Sequence, residues 1–169
     1  MPETATIPSP IVGPLAGQFG FSQWAIDFNL EGISDEEALI LPQPGGNSIN
    51  WIAGHIITAR QGFLKAFDRP AIFEGETVGS YRRGTKPAEE MPVALSKLRE
   101  MLVQSHQALL DLISTLDDEA LAQKAPFSPG NNPAETVGSL LGKLVVHESY
   151  HGGQLGMARR LIGKAGAIQ

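Results

Sequence analysis

The 169-residue chain contains no cysteine. Disulfides, thiolate metal ligands and a cysteine nucleophile are therefore excluded. Runs of charge are also lacking: 13 basic and 18 acidic residues give a formal charge of −5, with no Lys/Arg cluster. That argues against nucleic acid and anionic membrane surfaces as partners. No apolar run reaches membrane-spanning length, and the start, "MPETATIPSP", lacks the basic-then-apolar pattern of a signal peptide. A cytoplasmic location is the expectation. Strand signals are scarce, with few alternating β-branched runs and no Asn-Gly or Asp-Gly turn. Gly-x-Ser-x-Gly, Gly-x-Gly-x-x-Gly and P-loop motifs are missing as well.

What is present is an ordinary globular composition, 42% hydrophobic and 18% charged, in a length that suits one domain. The Pro-rich residues 1–12 are expected to be a mobile N-terminal segment, and 13–165 a single domain. Helical periodicity accounts for most of it. A first helix is predicted over Pro14 to Leu30, with Gly32 just past its end. Ser34 and Glu37 have capping-box spacing for a short turn. Ser48 is the natural N-cap of a second helix that reaches about Asp68, with the stripe Ile52, Ile56, Ala59, Phe63 and Phe67. Residues 70–91 read as a long connection. Pro92 suits the first position of a third helix, whose Leu95, Leu98, Leu102, Leu109, Leu112 and Leu116 form the clearest amphipathic pattern. Asn132-Pro133 is expected to open a fourth helix that Gly163 ends. Four amphipathic helices without competing strands predict an all-α four-helix bundle. The 70–91 connection could span about 60 Å at roughly 3.3 Å per residue. The second and third helices could therefore run parallel.

The chemistry sits in "VVHESYHGGQ", residues 145–154. His147 and His151, at i and i+4, lie one above the other on a helix face, roughly 6 Å apart at Cβ. Both fall on the stripe expected to face the core, where an unpaired polar group costs about 1–3 kcal/mol. Two hydrogen-bonded core histidines are the plain alternative to a shared ion, and the i, i+4 pair favours the ion. The string is also the His-Glu-x-x-His signature of zinc peptidases, which needs a third ligand downstream. From Gly152 to Gln169 there is no His, Asp, Glu or Cys. A carboxylate-bridged di-iron site requires a second Glu-x-x-His, and no other glutamate has a histidine at +3. The third ligand must come from upstream. His55 borders the apolar face of the second helix, whereas His106 lies at the edge of the third helix's leucine stripe and reads better as a partly exposed surface residue. Three neutral imidazoles leave positions open for water or substrate. Glu148, about 100° round the helix from His147, is expected to support an imidazole N–H or to pair with a basic side chain, not to act as a peptidase base. Arg82 and Arg83 read as solvated surface.

"NSINWIAGHI" and, far downstream, "HESYHGGQL" resemble the DinB-like (YfiT-like) superfamily of metal-dependent enzymes. The resemblance runs from the first helix to about Gly163. The matching positions are Trp51, His55, His147, His151, Gly153 and Gln154; Gly152 stands where many relatives carry Arg. The resemblance implies an up-down-down-up bundle with long connections and a divalent ion (Zn, Ni, Mn or Fe) on His55, His147 and His151. Trp51, Glu148 and Gln154 are then expected to support these ligands from behind. A homodimer and a small-molecule substrate, such as a low-molecular-weight thiol, are further implications. The expected activity is a small-thiol-dependent S-transferase. The alternatives are a metal-dependent hydrolase and a non-catalytic metal- or ligand-binding stress-response bundle.

Overall fold

The computed structural model describes residues 9–72, 77–87 and 92–168. Among them there is no strand, only an isolated bridge between Lys124 and Thr136. Four long helices, α1 (Val12–Leu30), α3 (Ile49–Lys65), α5 (Leu95–Ile113) and α7 (Val137–Leu161), pack as a bundle. Three short ones, α2 (Asp35–Leu39), α4 (Thr77–Ser80) and α6 (Asp118–Ala122), lie in the connections. Of the segment expected to be mobile, residues 1–8 lie outside the described residues. Ser9 is buried, and its amide donates to the Leu116 carbonyl at 3.1 Å.

The core has two apolar clusters. One joins Ile26 and Leu30 of α1, the N-terminal half of α3, Leu95 to Leu102 of α5, and Leu155 and Ala158 of α7. The other joins Phe19, Phe63, Leu64, Leu109 to Ile113, and Val137 to Leu144. N-terminal halves of α3 and α5 thus share a cluster with C-terminal halves of α1 and α7. It follows that α3 and α5 advance in one sense and α1 and α7 in the other. Between the clusters each long helix contributes a buried polar side chain: Gln23, Arg60, Ser105 and Glu148.

Helix ends show where local signals decide. Ser34 and Glu37 close a capping box on α2, and Ser48 accepts from the Trp51 amide at 3.3 Å. Gly32 and Gly163 take positive φ just past α1 and α7, the left-handed geometry that glycine adopts without steric cost. α1 begins at Val12, two residues before the expected Pro14, and two further starts differ by more. α5 begins at Leu95, not Pro92, because the Leu95 amide is capped across space by the Asp35 carboxylate at 3.0 Å. α7 begins at Val137, not at Asn132-Pro133. The Ala125 amide bonds Glu135 O at 2.8 Å and the Val137 amide bonds Gln123 O at 3.0 Å, holding this stretch extended. The helix then starts from a capping box between Thr136 and Ser139.

Candidate metal centre

His55 lies on α3 and His147 and His151 lie on α7, and these two helices pack together. Their ligand atoms all fall within 4.8 Å of one another, and the His147 and His55 Nε2 atoms are 3.1 Å apart. His55 and His151 are buried and His147 half-buried.

Two of the three rings are oriented from behind. His55 Nδ1–H donates to the Tyr81 carbonyl at 2.8 Å, and a carbonyl can only accept. His151 Nδ1–H donates to Gln154 Oε1 at 2.7 Å. Both bonds fix the tautomer that turns an Nε2 lone pair into the cluster. Trp51 stacks on His55 with ring centroids 4.6 Å apart and planes 12° from parallel, and its indole N–H donates to Thr85 Oγ1 at 3.0 Å.

The carbonyl behind His55 comes from the 77–87 segment. Tyr81 is fully buried, and its hydroxyl donates to Asn50 Oδ1 at 2.9 Å. Asn50 in turn donates to the Val93 carbonyl at 2.8 Å. Burial pushes the Tyr81 hydroxyl up to about 12, against a hydrogen bond with Val93 that lowers it. The Tyr81 ring lies against Gly54, where a Cβ would come within 2.3 Å of it. Glycine is the residue that allows this approach.

The electrostatics keep the rings neutral. Burial, then the neighbouring His151 and His55, lower His147 to about 4. Burial also lowers His55 and His151, partly opposed by the Tyr81 and Gln154 hydrogen bonds; Arg83, exposed nearby, lowers His55 further. Neutral imidazole is the form that binds metal.

In the protein alone these nitrogens face one another. With His55 and His151 Nε2 both fixed as acceptors, His147 Nε2 can donate to His55. Its Nδ1 is then a lone pair, buried and without a partner. The opposite tautomer sets two lone pairs 3.1 Å apart. Three convergent imidazole nitrogens fit a divalent cation, which accepts several lone pairs at once.

Glu148 is turned away from this cluster. Its two carboxylate oxygens accept from Arg60 Nε and Nη2, each at 2.8 Å, and both side chains are fully buried. Arg60 Nη1 also donates to Gln23 Oε1 at 2.8 Å and the Leu102 carbonyl at 2.9 Å, and reaches Ser105 Oγ at 3.3 Å. All four long helices meet at this one guanidinium. With both oxygens held, the carboxylate is not free to act as a peptidase base. His106 stands apart, half-buried on α5, with Nδ1 buried and unpartnered.

The structure thus brings His55, His147 and His151 together, with Trp51 and Gln154 against them and Glu148 on Arg60. Sequence reasoning passed over Arg60 and Tyr81. Arg60 had a signal, since it stands between Ile56 and Phe63 on the apolar row of α3, where only a paired charge is tolerated. Tyr81, in a segment without periodicity, had none.

A helical bundle with an inward-facing three-histidine cluster fits a metal-binding protein. A family model for the DinB superfamily matches residues 25–155, and the chain belongs to that superfamily. In fold it is similar to a crystal structure of a conserved protein from Enterococcus faecalis, with a TM-score of 0.73 at 17% identity, covering 94% of this chain and 100% of the other. No curated protein matches it. Among the described residues, no helix is long and apolar enough to cross a membrane.

Proposed function

We propose that this protein is a divalent-metal-dependent enzyme that joins a small thiol to an electrophilic acceptor. The observation that carries the reading is the set of three neutral imidazoles whose ring nitrogens converge within 4.8 Å while Tyr81 O and Gln154 Oε1 hold the Nδ1 atoms of two of them. His55, His147 and His151 would hold the ion. Three neutral ligands leave its charge undiminished, and a bound dication lowers the pKa of a coordinated thiol or water toward neutrality. Tyr81 and Gln154 fix the imidazole tautomers, and Trp51 keeps the His55 ring in plane. In the transfer, the thiol sulfur forms a bond to the acceptor carbon. The leaving group departs with its electron pair, and the thiol proton passes to solvent.

The test is an assay of the metal-loaded protein with bacillithiol or mycothiol and an electrophile such as monobromobimane. Conjugation above the uncatalysed rate, lost on chelation and in His55→Ala, is the expected result. Turnover of activated esters without thiol would replace this reading by a hydrolase. A metal-loaded protein inert in both assays would leave a binding function. Casein is expected to remain uncut in every case.

A further inference from the structure

Beside the histidines lies a cleft of about 470 Å³, between residues 42–47 and the C-terminal half of α7. Its apolar walls include Pro42, Ile52, Met157, Ala158 and Leu161, and its polar side chains are Asn47, Gln154 and Tyr150; no charged side chain lines it among the described residues. Glycines keep it open. Gly45, Gly46 and Gly153 bring no side chain into it, and a Cβ on Gly153 would meet nothing within 4 Å.

Two residues join this cleft to the histidine cluster. Gln154 lines the cleft while its Oε1 accepts from His151, so its amide N–H groups remain as donors. Tyr150 lines it too, with its ring centroid 5.3 Å from that of His151. Ile52 forms the opposite wall, close to one helical turn before His55 on α3. Small-molecule sites have this make-up: apolar walls, a few directed polar groups, and several hundred Å³.

We propose that this cleft seats the apolar, uncharged body of the substrate, whose polar reacting end lies at the end of the cleft nearest the histidines, beside Tyr150 and Gln154. The proposal deepens the metal-dependent reading above and rests on it for the reacting end alone. The cleft selects an alkyl or aryl chain of roughly four to eight carbons by burial against Ile52, Met157 and Leu161, and offers no opposite charge to a charged group. A polar thiol would approach from another side, leaving the cleft to the acceptor.

The full chain, loaded with Ni²⁺ or Zn²⁺, is titrated calorimetrically with straight-chain alkyl hydroxamates from acetohydroxamate to octanohydroxamate. In parallel, the metal-free chain labelled with ¹³C at its methionine methyls is titrated with the matching primary amides, which keep the tail and lack the chelating head. The expected result is a rise in hydroxamate affinity of about fourfold per methylene. The amides should shift the Met157 methyl saturably and leave that of buried Met101 unmoved. Met157 is 59% exposed and Val146, outside the cleft on the same helix, is 69% exposed, so both accept a charge without unfolding the protein. Met157→Glu should flatten the chain-length dependence, and Val146→Glu should preserve it. A wild-type response independent of chain length, or a dependence that survives Met157→Glu, would overturn the proposal. So would a dimer by light scattering that Met157→Glu dissociates, because a second copy would then occupy the cleft. Amides that shift Met157 in a protein that retains no metal would keep the cleft and sink the metal reading instead.

Discussion

Two polar clusters are buried side by side in this bundle, and adjacent residues of α7 serve them. Around Arg60, the buried carboxylate oxygens and the guanidinium nitrogens Nε, Nη1 and Nη2 have partners drawn from all four long helices. Around His55, three imidazole nitrogens converge, with His147 Nε2 3.1 Å from His55 Nε2. The first cluster is complete as protein; the second has a donor set that fits an ion. Ring nitrogens from three side chains meeting at one place, and not a single unpartnered atom such as His106 Nδ1, separate a binding site from a structural knot.

The sharpest way to break the comparison is to cut the complete cluster. Arg60→Met leaves Glu148 buried and unpaired and should cost about 3–5 kcal/mol in chemical denaturation. Adding Glu148→Leu should restore much of that loss, since apolar replacement of both partners removes the stranded charge. Metal should matter little to either difference.

The histidine cluster should respond in the opposite way. Metal-free His55→Ala, His147→Ala and His151→Ala should melt close to the metal-free wild type. Loading the wild type should raise its stability by about 2.7 kcal/mol at a free metal concentration of a hundred times Kd, and the three variants should gain almost none of this. A differential scanning titration with and without chelator reads both.

Gly54→Ala touches the support behind the cluster. The added methyl overlaps the Tyr81 ring, so a loss of about 1–3 kcal/mol is expected from overpacking. Because Tyr81 would also carry its carbonyl away from His55, metal affinity should fall in the same variant. Gly153→Ala, with open space around its Cβ, is the control that should change neither.

The most gradual effect is that of pH on the metal-free protein. His147 titrates near 4 when folded, against 6.5 when unfolded, and His55 and His151 are lowered as well. Between those values the unfolded chain binds more protons, so stability should be full above about pH 6.5 and fall as pH drops toward 4. His147→Ala should shrink the slope in that window, as read by denaturation at a series of pH values.

Much of this was legible in the sequence. The helical stripes of α1, α3, α5 and α7 were readable because each buries one face, and the Ser34 and Ser48 caps because capping is local. The starts of α5 and α7 were not, since Asp35 caps Leu95 from a distant segment and the 123–137 pairing delays α7. The His147/His151 pair announced itself by spacing, and His55 by its place beside an apolar stripe. The Tyr81 carbonyl behind His55 is a backbone atom in an aperiodic segment, and no side-chain pattern reports it. Arg60 was visible only as a misplaced charge.

The central claim is that the histidine cluster is a metal site and the Arg60 cluster is not. Elemental analysis after metal loading and desalting, run on the wild type and on His55→Ala, His147→Ala, His151→Ala, His106→Ala and Glu148→Gln, tests it most directly. The account predicts one ion per chain in the wild type, in His106→Ala and in Glu148→Gln, and its loss in the other three. A wild type that retains no ion, or an ion lost in His106→Ala but kept in His55→Ala, would contradict it.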